Sequence, residues 1–287
     1  MVLSSSWRSP LDPERVMQME ITHWQDDLPV QREDQLTIEE PFEVRIGHQS
    51  LAVIMRTPGN DVELALGFLL TEGVIQQAED MLGVESDVDE EGLPLANVLN
   101  VTLRSQLQQS SMRPQPTTFE RHFAVSASCG LCGKNSIADL MLSVPPLNLD
   151  HIVHIRAATF YELAAQLRAR QKVFQYTGGL HAAGLFNTSG ELHLLREDIG
   201  RHNAVDKLIG YGLLHSSFPY QESILMVSGR TSFEIIQKAL LARIPCVAAI
   251  SAPSSLAVEL AEQGGITLIG FLRDHSMNVY THPERII

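Results

Sequence analysis

Two of the chain's three cysteines, Cys129 and Cys132, lie two residues apart in "SASCGLCGKNS", residues 126–136. Paired thiols at that spacing suit three chemistries: gripping a metal, exchanging a disulfide, or carrying a sulfur atom as a persulfide. Gly130 and Gly133 let the backbone fold tightly there. The following "KNSIADLML" reads as a short helix whose amide end, with Lys134, favours a thiolate. Structural zinc normally takes four ligands. The third cysteine, Cys246, sits in the apolar run "CVAAIS" and reads as a small core residue, so zinc would need His122 or a remote histidine. A thioredoxin-like pair is expected after an early strand of a βαβ unit. Here it follows the polar, proline-bearing "QLQQSSMRPQPTTFERH". An exposed, glycine-rich loop fits a thiolate that takes and passes on sulfur, with metal binding and disulfide exchange as the alternatives.

A second group of residues suits anions. In "VSGRTSFEIIQKAL", Ser228, Gly229, Arg230, Thr231 and Ser232 lead from a strand end into a helix, where free amides, a guanidinium and hydroxyls can meet a phosphate. "ISAPSSLAVELAEQ" repeats the arrangement with Ser254 and Ser255. Two such loops side by side could hold a molecule with two or more phosphates; the plainer role for each is helix capping. Neither is a Walker loop, since no G-x-x-x-x-G-K-[ST] is present. A third group lies in "TGGLHAAGLF" and "REDIGRHNAVDKLIG". His202 and Asp206, four apart, share a helix face as metal ligands or as ordinary polar contacts. Glu197, Asp198 and Arg201 beside Gly200 suit a loop anchored by ion pairs, or a polar-ligand site.

The elements that must position these residues fall into two units. Residues 1–30 are polar without a sustained period and read as a loose arm. "FEVRI" and "LAVIM" around "IGHQS" form a β-hairpin. "TPGNDVELALGFLLTEGVI" starts a helix capped by Asn60 or Asp61, with Leu64, Leu66, Phe68 and Leu69 on its apolar side. "GLPLANVLNVTLRS" returns to strand. Beyond the cysteines the rhythm changes. "TFYELAAQLRARQKVFQYTG" is one amphipathic helix, "LHAAGLFN" and "ELHLLREDIG" are a strand pair, and "RHNAVDKLIGYGLL" is a helix. Strands "SILMVSG", "CVAAIS" and "ITLIGFL" then alternate with helices. Continuously apolar strands between helices predict a partly parallel sheet covered on both faces. The expected class is α/β (α+β overall), with an N-terminal arm over 1–30, a small α+β domain over 31–145 ending in the cysteine loop, and an α/β domain over 146–287.

With 287 residues, 44% apolar and 19% charged, the chain can bury a sizeable core. Its net charge of −13 is uneven: residues 1–130 carry 8 basic and 21 acidic side chains, and residues 131–287 carry 13 of each. An acidic front half repels phosphate backbones, which excludes nucleic acid as a partner. No apolar run approaches the about 20 residues of a membrane helix, and the first residues lack a signal peptide's apolar region. So few cysteines point to a reducing cytoplasm.

Taken together, "CGLCGK", "TGGLHAAGLF", "EDIGRHNAVDKLIG", "SGRTSFEIIQKAL", "ISAPSSLAVELAEQGGITLIGF" and "NVYTHPERI" resemble the FdhD family, sulfur carriers needed for formate dehydrogenase activity. "TPGNDVELALGFLLTEGVI" matches as well, so the resemblance covers about residues 30–287 in order. It implies a cytoplasmic homodimer that receives sulfur from a cysteine desulfurase as a persulfide. It further implies transfer of that sulfur to the molybdenum cofactor, a bis(molybdopterin guanine dinucleotide), before insertion into the formate dehydrogenase catalytic subunit. Cys129 then bears the persulfide with Cys132 as its partner. The family's cofactor stretch falls on Phe271, Leu272, Arg273, Asp274, His275 and Ser276, with a GDP-like guanine nucleotide as the recognised moiety and no metal ion of the protein's own. The resemblance also implies a cytidine-deaminase-like second domain. Deamination itself is excluded: His181-Ala182-Ala183 lacks the glutamate of H-x-E, and no P-C-x-x-C follows it.

Overall fold

A computed structural model describes residues 12, 14–89, 91–104, 145–147 and 154–287. Cys129, Cys132, His122 and the helix expected over 134–142 lie outside the described residues. The fold is mixed α/β. β1 (Val16–Gln25) and β2 (Leu28–Thr37) pair with each other alone. β3 (Glu40–Ile46) and β4 (Gln49–Arg56) form the expected hairpin, followed by α1 (Asp61–Thr71), β5 (Met81–Val88) and β6 (Pro94–Leu103). After the undescribed stretch come α2 (Ala157–Arg170), α3 (Lys172–Thr177), β7 (His181–Asn187), β8 (Leu192–Asp198) and α4 (Arg201–Leu214). The chain then runs through β9 (Ser223–Val227), α5 (Phe233–Leu241), β10 (Cys246–Ala249), α6 (Ser255–Gly264), β11 (Thr267–Arg273) and β12 (Ser276–Val279).

The four-stranded sheet has the order β4-β3-β6-β5, and the six-stranded sheet β12-β11-β10-β9-β7-β8. In the larger one β9, β10 and β11 are parallel, while β7 and β12 run against their neighbours. Both faces are covered, as continuously apolar strands require. On one face Phe160, Leu163 and Leu167 of α2 pack on Phe186, Met226 and Ala248. On the other, a continuous core joins the four-stranded sheet, α1, α4 and α5. Cys246 is buried as expected, in the core under α2, and burial pushes its thiol up to about 12, which leaves it unreactive. Among the described residues, no helix is long and apolar enough to cross a membrane.

The sequence reading did not include β5 or β12, and three expected elements differ. Val16–Gln25, placed in a loose arm, pairs with Leu28–Thr37 through a tight two-residue turn at Asp26 and Asp27, both at positive φ. The cue is easily missed because this hairpin is largely exposed and so lacks an apolar face of core strength. Asn60 precedes α1 but sits in the left-handed region without capping through its side chain, and Asp61 instead receives two 2.9 Å bonds from Arg56. The single helix expected over 159–178 breaks at Gln171. There the Glu197 carboxylate accepts from the Val173 and Phe174 amides at 3.1 and 2.9 Å, giving a second helix start.

α1 is apolar around most of its circumference because it lies between its own sheet and α4. The two helices cross at glycines. A Cβ on Gly67 would lie 1.9 Å from the Asp206 carbonyl oxygen, and one on Gly210 would lie 1.8 Å from that of Glu63. Gly67→Ala is therefore expected to cost about 3 kcal/mol, at the upper end of overpacking effects, seen as a fall in the urea midpoint. Gly83→Ala, with nothing within 4 Å of the new methyl, should leave the midpoint nearly unchanged.

Candidate functional site

The parallel strands β9, β10 and β11 all end at one edge of the large sheet, where open α/β sheets bind ligands. The loop after β9, residues 228–232, and the loop after β10 are tied together there. The Thr231 amide donates to Ala252 O at 3.2 Å, and the Ser254 amide donates to Thr231 O at 3.0 Å. The stretch 271–276 joins the same rim, because the Phe271 amide donates to Ser251 O at 3.2 Å. The loops after β9 and β10 and the stretch 271–276, far apart in sequence, thus line one edge.

Their side chains differ in what they offer. Arg230, Phe271, Asp274, His275 and Ser276 are exposed. Phe271 is held at φ 52 next to a β-bulge, an uncommon conformation for a large side chain. Arg273 donates to the Ile250 and Leu272 carbonyls at 2.7 and 2.8 Å, which fixes its guanidinium along the rim. Leu272 is buried in the core, so its side chain serves packing. Ser228 ties β9 to β7, accepting from the Ala182 amide at 2.9 Å. Ser254 caps α6 by accepting from the Ala257 amide at 3.2 Å, the plainer of its two expected roles.

Because β7 runs against β9, its first residue, His181, reaches the same edge, opposite Asp198 at the end of β8. Arg201 and His202 open α4 beside them. His202 and Asp206 take different partners. His202 Nε2 lies 3.2 Å from the Ser232 hydroxyl and 3.9 Å from the Glu234 carboxylate. Asp206 accepts from Lys238 Nζ at 2.7 and 2.8 Å and from the Thr71 hydroxyl at 3.0 Å. Burial pushes its carboxyl up against the pull of that ammonium. Among the described residues, no group of three or more His, Cys, Asp or Glu side chains is placed to hold a metal ion. Asp198 pairs with Lys207 at 2.7 Å, so its charge is already matched and Arg201 is not its partner. A cleft of about 590 Å³ lies at the other end of β9, lined by His193, Tyr211, Tyr220 and Ser223. It contains none of these loops, and the convergence of charged groups makes the carboxyl edge the stronger candidate.

Both histidines of the edge are kept neutral. Burial, then Arg201 and Arg230, lower His181 against the pull of Asp198. Burial, then Arg201 and Lys238, bring His202 down to about 4. Burial alone would raise Glu234, but Ser232, its own amide, His202 and Arg201 outweigh it and hold the carboxyl below its usual range. The sequence reading did not include Glu234; its position in the first turn of a helix after an anion loop was the available signal.

The family model for the FdhD/NarQ family matches residues 37–287. A protein of Nocardia farcinica named sulfur carrier protein FdhD is 50% identical over 260 residues, 90% of each chain. A protein of the same name from Mycolicibacterium paratuberculosis is 46% identical over 269 residues, 93% of this chain and 97% of that one. A crystal structure from Desulfotalea psychrophila, assigned as a formate dehydrogenase accessory protein, superposes with a TM-score of 0.72 at 23% identity. The match covers 95% of this chain and 100% of that one, a likeness of fold.

A neutral, largely buried His202 contributes to the acid stability of this edge. Its pKa lies below the unfolded value, so the unfolded chain takes up the proton first, and stability falls as pH drops from about 6.5 to about 4. The loss from this residue is about 3 kcal/mol at most. Glu234 and His181 act in the same direction. Urea unfolding as a function of pH should show a shallower acid limb for His202→Gln, which keeps a polar partner for Ser232 but does not titrate.

Proposed function

The chain belongs to the FdhD/NarQ family, and from that premise we propose that it is a sulfur carrier serving formate dehydrogenase, loaded by a cysteine desulfurase and discharged to a molybdenum cofactor. The observation that carries the reading is identity of 46–50% to proteins named sulfur carriers over at least 90% of the chain. The Cys129–Cys132 pair supplies the chemistry such a role needs.

In the proposed mechanism the Cys129 thiolate attacks the outer sulfur of the desulfurase persulfide. A new sulfur–sulfur bond forms as the old one breaks, and the desulfurase cysteine leaves as a thiolate, so no external oxidant or reductant is required. The outer sulfur on Cys129 stays anionic and nucleophilic, and Cys132 is its partner in the loop. The substrate, bis(molybdopterin guanine dinucleotide), carries guanine nucleotide ends with phosphate charge. Residues 228–232 and 271–276 would hold one such end at the carboxyl edge, where Arg230 and helix amides offset the phosphates. Phe271, exposed beside them, offers a face for a base. Since the second half of the chain has no net charge, local arginines can set the field there despite the acidic whole.

Incubation with a cysteine desulfurase and cysteine should raise the intact mass by that of one sulfur atom per chain, reversed by reductant. Cys129→Ala should abolish the gain and the restoration of formate dehydrogenase activity. Stoichiometric zinc with no added sulfur would establish a cofactor-binding chaperone instead. A disulfide that cycles with thioredoxin would establish a thiol oxidoreductase.

A further inference from the structure

We propose that His181 and Arg201 join Arg230 and Thr231 in a subsite for the diphosphate of a nucleotide, in which binding places a proton on His181. The inference rests on the reading of residues 228–232 as part of the nucleotide site. It adds two residues from other elements and a linked protonation.

The first argument is charge. In a chain of net charge −13, Arg45, Arg56 and Arg196 are each matched by carboxylates. Arg201 and Arg230, neighbours at the carboxyl edge, have no carboxylate partner among the described residues. The carboxylates near them bond elsewhere: Asp198 holds Lys207 at 2.7 Å, and Glu234 bonds Ser232 and its own amide, with Arg201 acting on it only at longer range. Two positive side chains side by side, neither in an ion pair with a carboxylate, suit an anion.

The second argument is unsatisfied polarity. Arg201 Nε is buried without a hydrogen-bond partner, and so is the hydroxyl of Thr231, a residue only 1% exposed. Such atoms are costly unless a ligand or water completes them. α4, of 14 residues, follows Gly200 without a side-chain cap, so its first amides also remain available at this edge, whereas in α5 the Glu234 amide is taken by its own carboxylate.

The third argument is shape. The His181 ring and the Arg201 stem lie against Gly229: a Cβ there would be 3.2 Å from His181 Nδ1 and 3.7 Å from Arg201 Cδ. Glycine therefore lets the main chain of the loop approach both residues. The groups acting on His181 are Arg201, Arg230 and Asp198. Without a ligand, burial and then the two guanidiniums keep the ring neutral. A bound diphosphate reverses the local field and favours the imidazolium, so binding takes up a proton at this residue.

The test is calorimetric titration of the full chain with GDP, pyrophosphate and guanosine from about pH 6 to pH 8, with the His181 ring nitrogens followed by NMR. GDP should bind, pyrophosphate more weakly and guanosine more weakly still. Arg201→Gln and Arg230→Gln should each weaken GDP at least about tenfold; Arg230 is exposed, so its replacement tests the site with the fold intact. His181→Asn should lose the gain in affinity at lower pH, since the ligand's own titration is common to both proteins. GDP bound equally by wild type and both arginine variants, with His181 resonances unmoved, overturns the subsite and leaves the nucleotide reading standing. Guanosine as tight as GDP overturns the phosphoryl chemistry, and pyrophosphate as tight as GDP overturns the nucleotide as its source. Failure of all three ligands to bind overturns subsite and nucleotide reading together, while sulfur loading stays decided by the mass measurement.

Discussion

The carboxylate of Asp198, wholly buried at the end of β8, holds the candidate site in place from four directions. It accepts from Lys207 Nζ at 2.7 Å, the Gly200 amide and Asn203 Nδ2 at 2.8 Å each, and the Thr57 amide at 3.3 Å. These donors come from α4, from the turn that starts it, and from the end of the β3–β4 hairpin. Lys207, also wholly buried, spends a further bond on Thr57 O, and Asn203 reaches Met55 O. Burying such a pair is expensive, and it persists only because nearly every lone pair and proton is used. The same satisfaction makes it a rigid anchor. Where α4 begins, and hence where Arg201 and His202 project, is set by one charge that the N-terminal hairpin helps to solvate.

That anchor also resolves how an acidic protein can present a positive edge. Asp198 is paired internally with Lys207, and Asp206 with Lys238, so each subtracts less from the field at the strand ends than an unpaired carboxylate would. Much of the remaining negative charge lies in the first half of the chain, on exposed strands such as β2 and β5. Water and salt screen it over about 10 Å, whereas Arg201, Arg230 and the helix amides act at contact distance. Net charge is thus a poor guide to the ligand here, and the division into an acidic front and a neutral back is a better one.

Much of this was legible in the residues. The β3–β4 hairpin follows from alternation around Gly47 and His48, which supply the two positive φ values of a tight turn. The parallel strands follow from short apolar runs spaced by helices. The 228–232 and 250–254 loops were each legible as a strand end leading into a helix, while the hydrogen bonds that join them were not. What could not be read was partner choice among charged residues. Spacing puts His202 and Asp206 on one helix face, yet Asp206 is drawn inward by Lys238 and Thr71 while His202 turns to Ser232. Likewise, nothing local marks Glu197 as the carboxylate that breaks a helix 24 residues earlier in the chain. Long-range electrostatics decides such cases, and a periodic pattern does not encode it.

The close crossing of α1 and α4 ties these observations together. Glycines at both contact points bring the helix backbones together, and beside that contact Thr71 of α1 meets Asp206 of α4 and Lys238 of α5 in one buried cluster. α5 follows directly on Ser232, so its start is linked through Lys238 to the helix that packs under the N-terminal sheet. A displacement of α1 cannot be absorbed by side-chain adjustment, because main chain meets main chain there. It must be passed to α4 and α5, the two helices whose first residues carry Arg201, His202 and Glu234. The N-terminal unit is in this sense part of the edge: it holds both helix starts in the places on which the cluster of guanidiniums and neutral imidazoles depends.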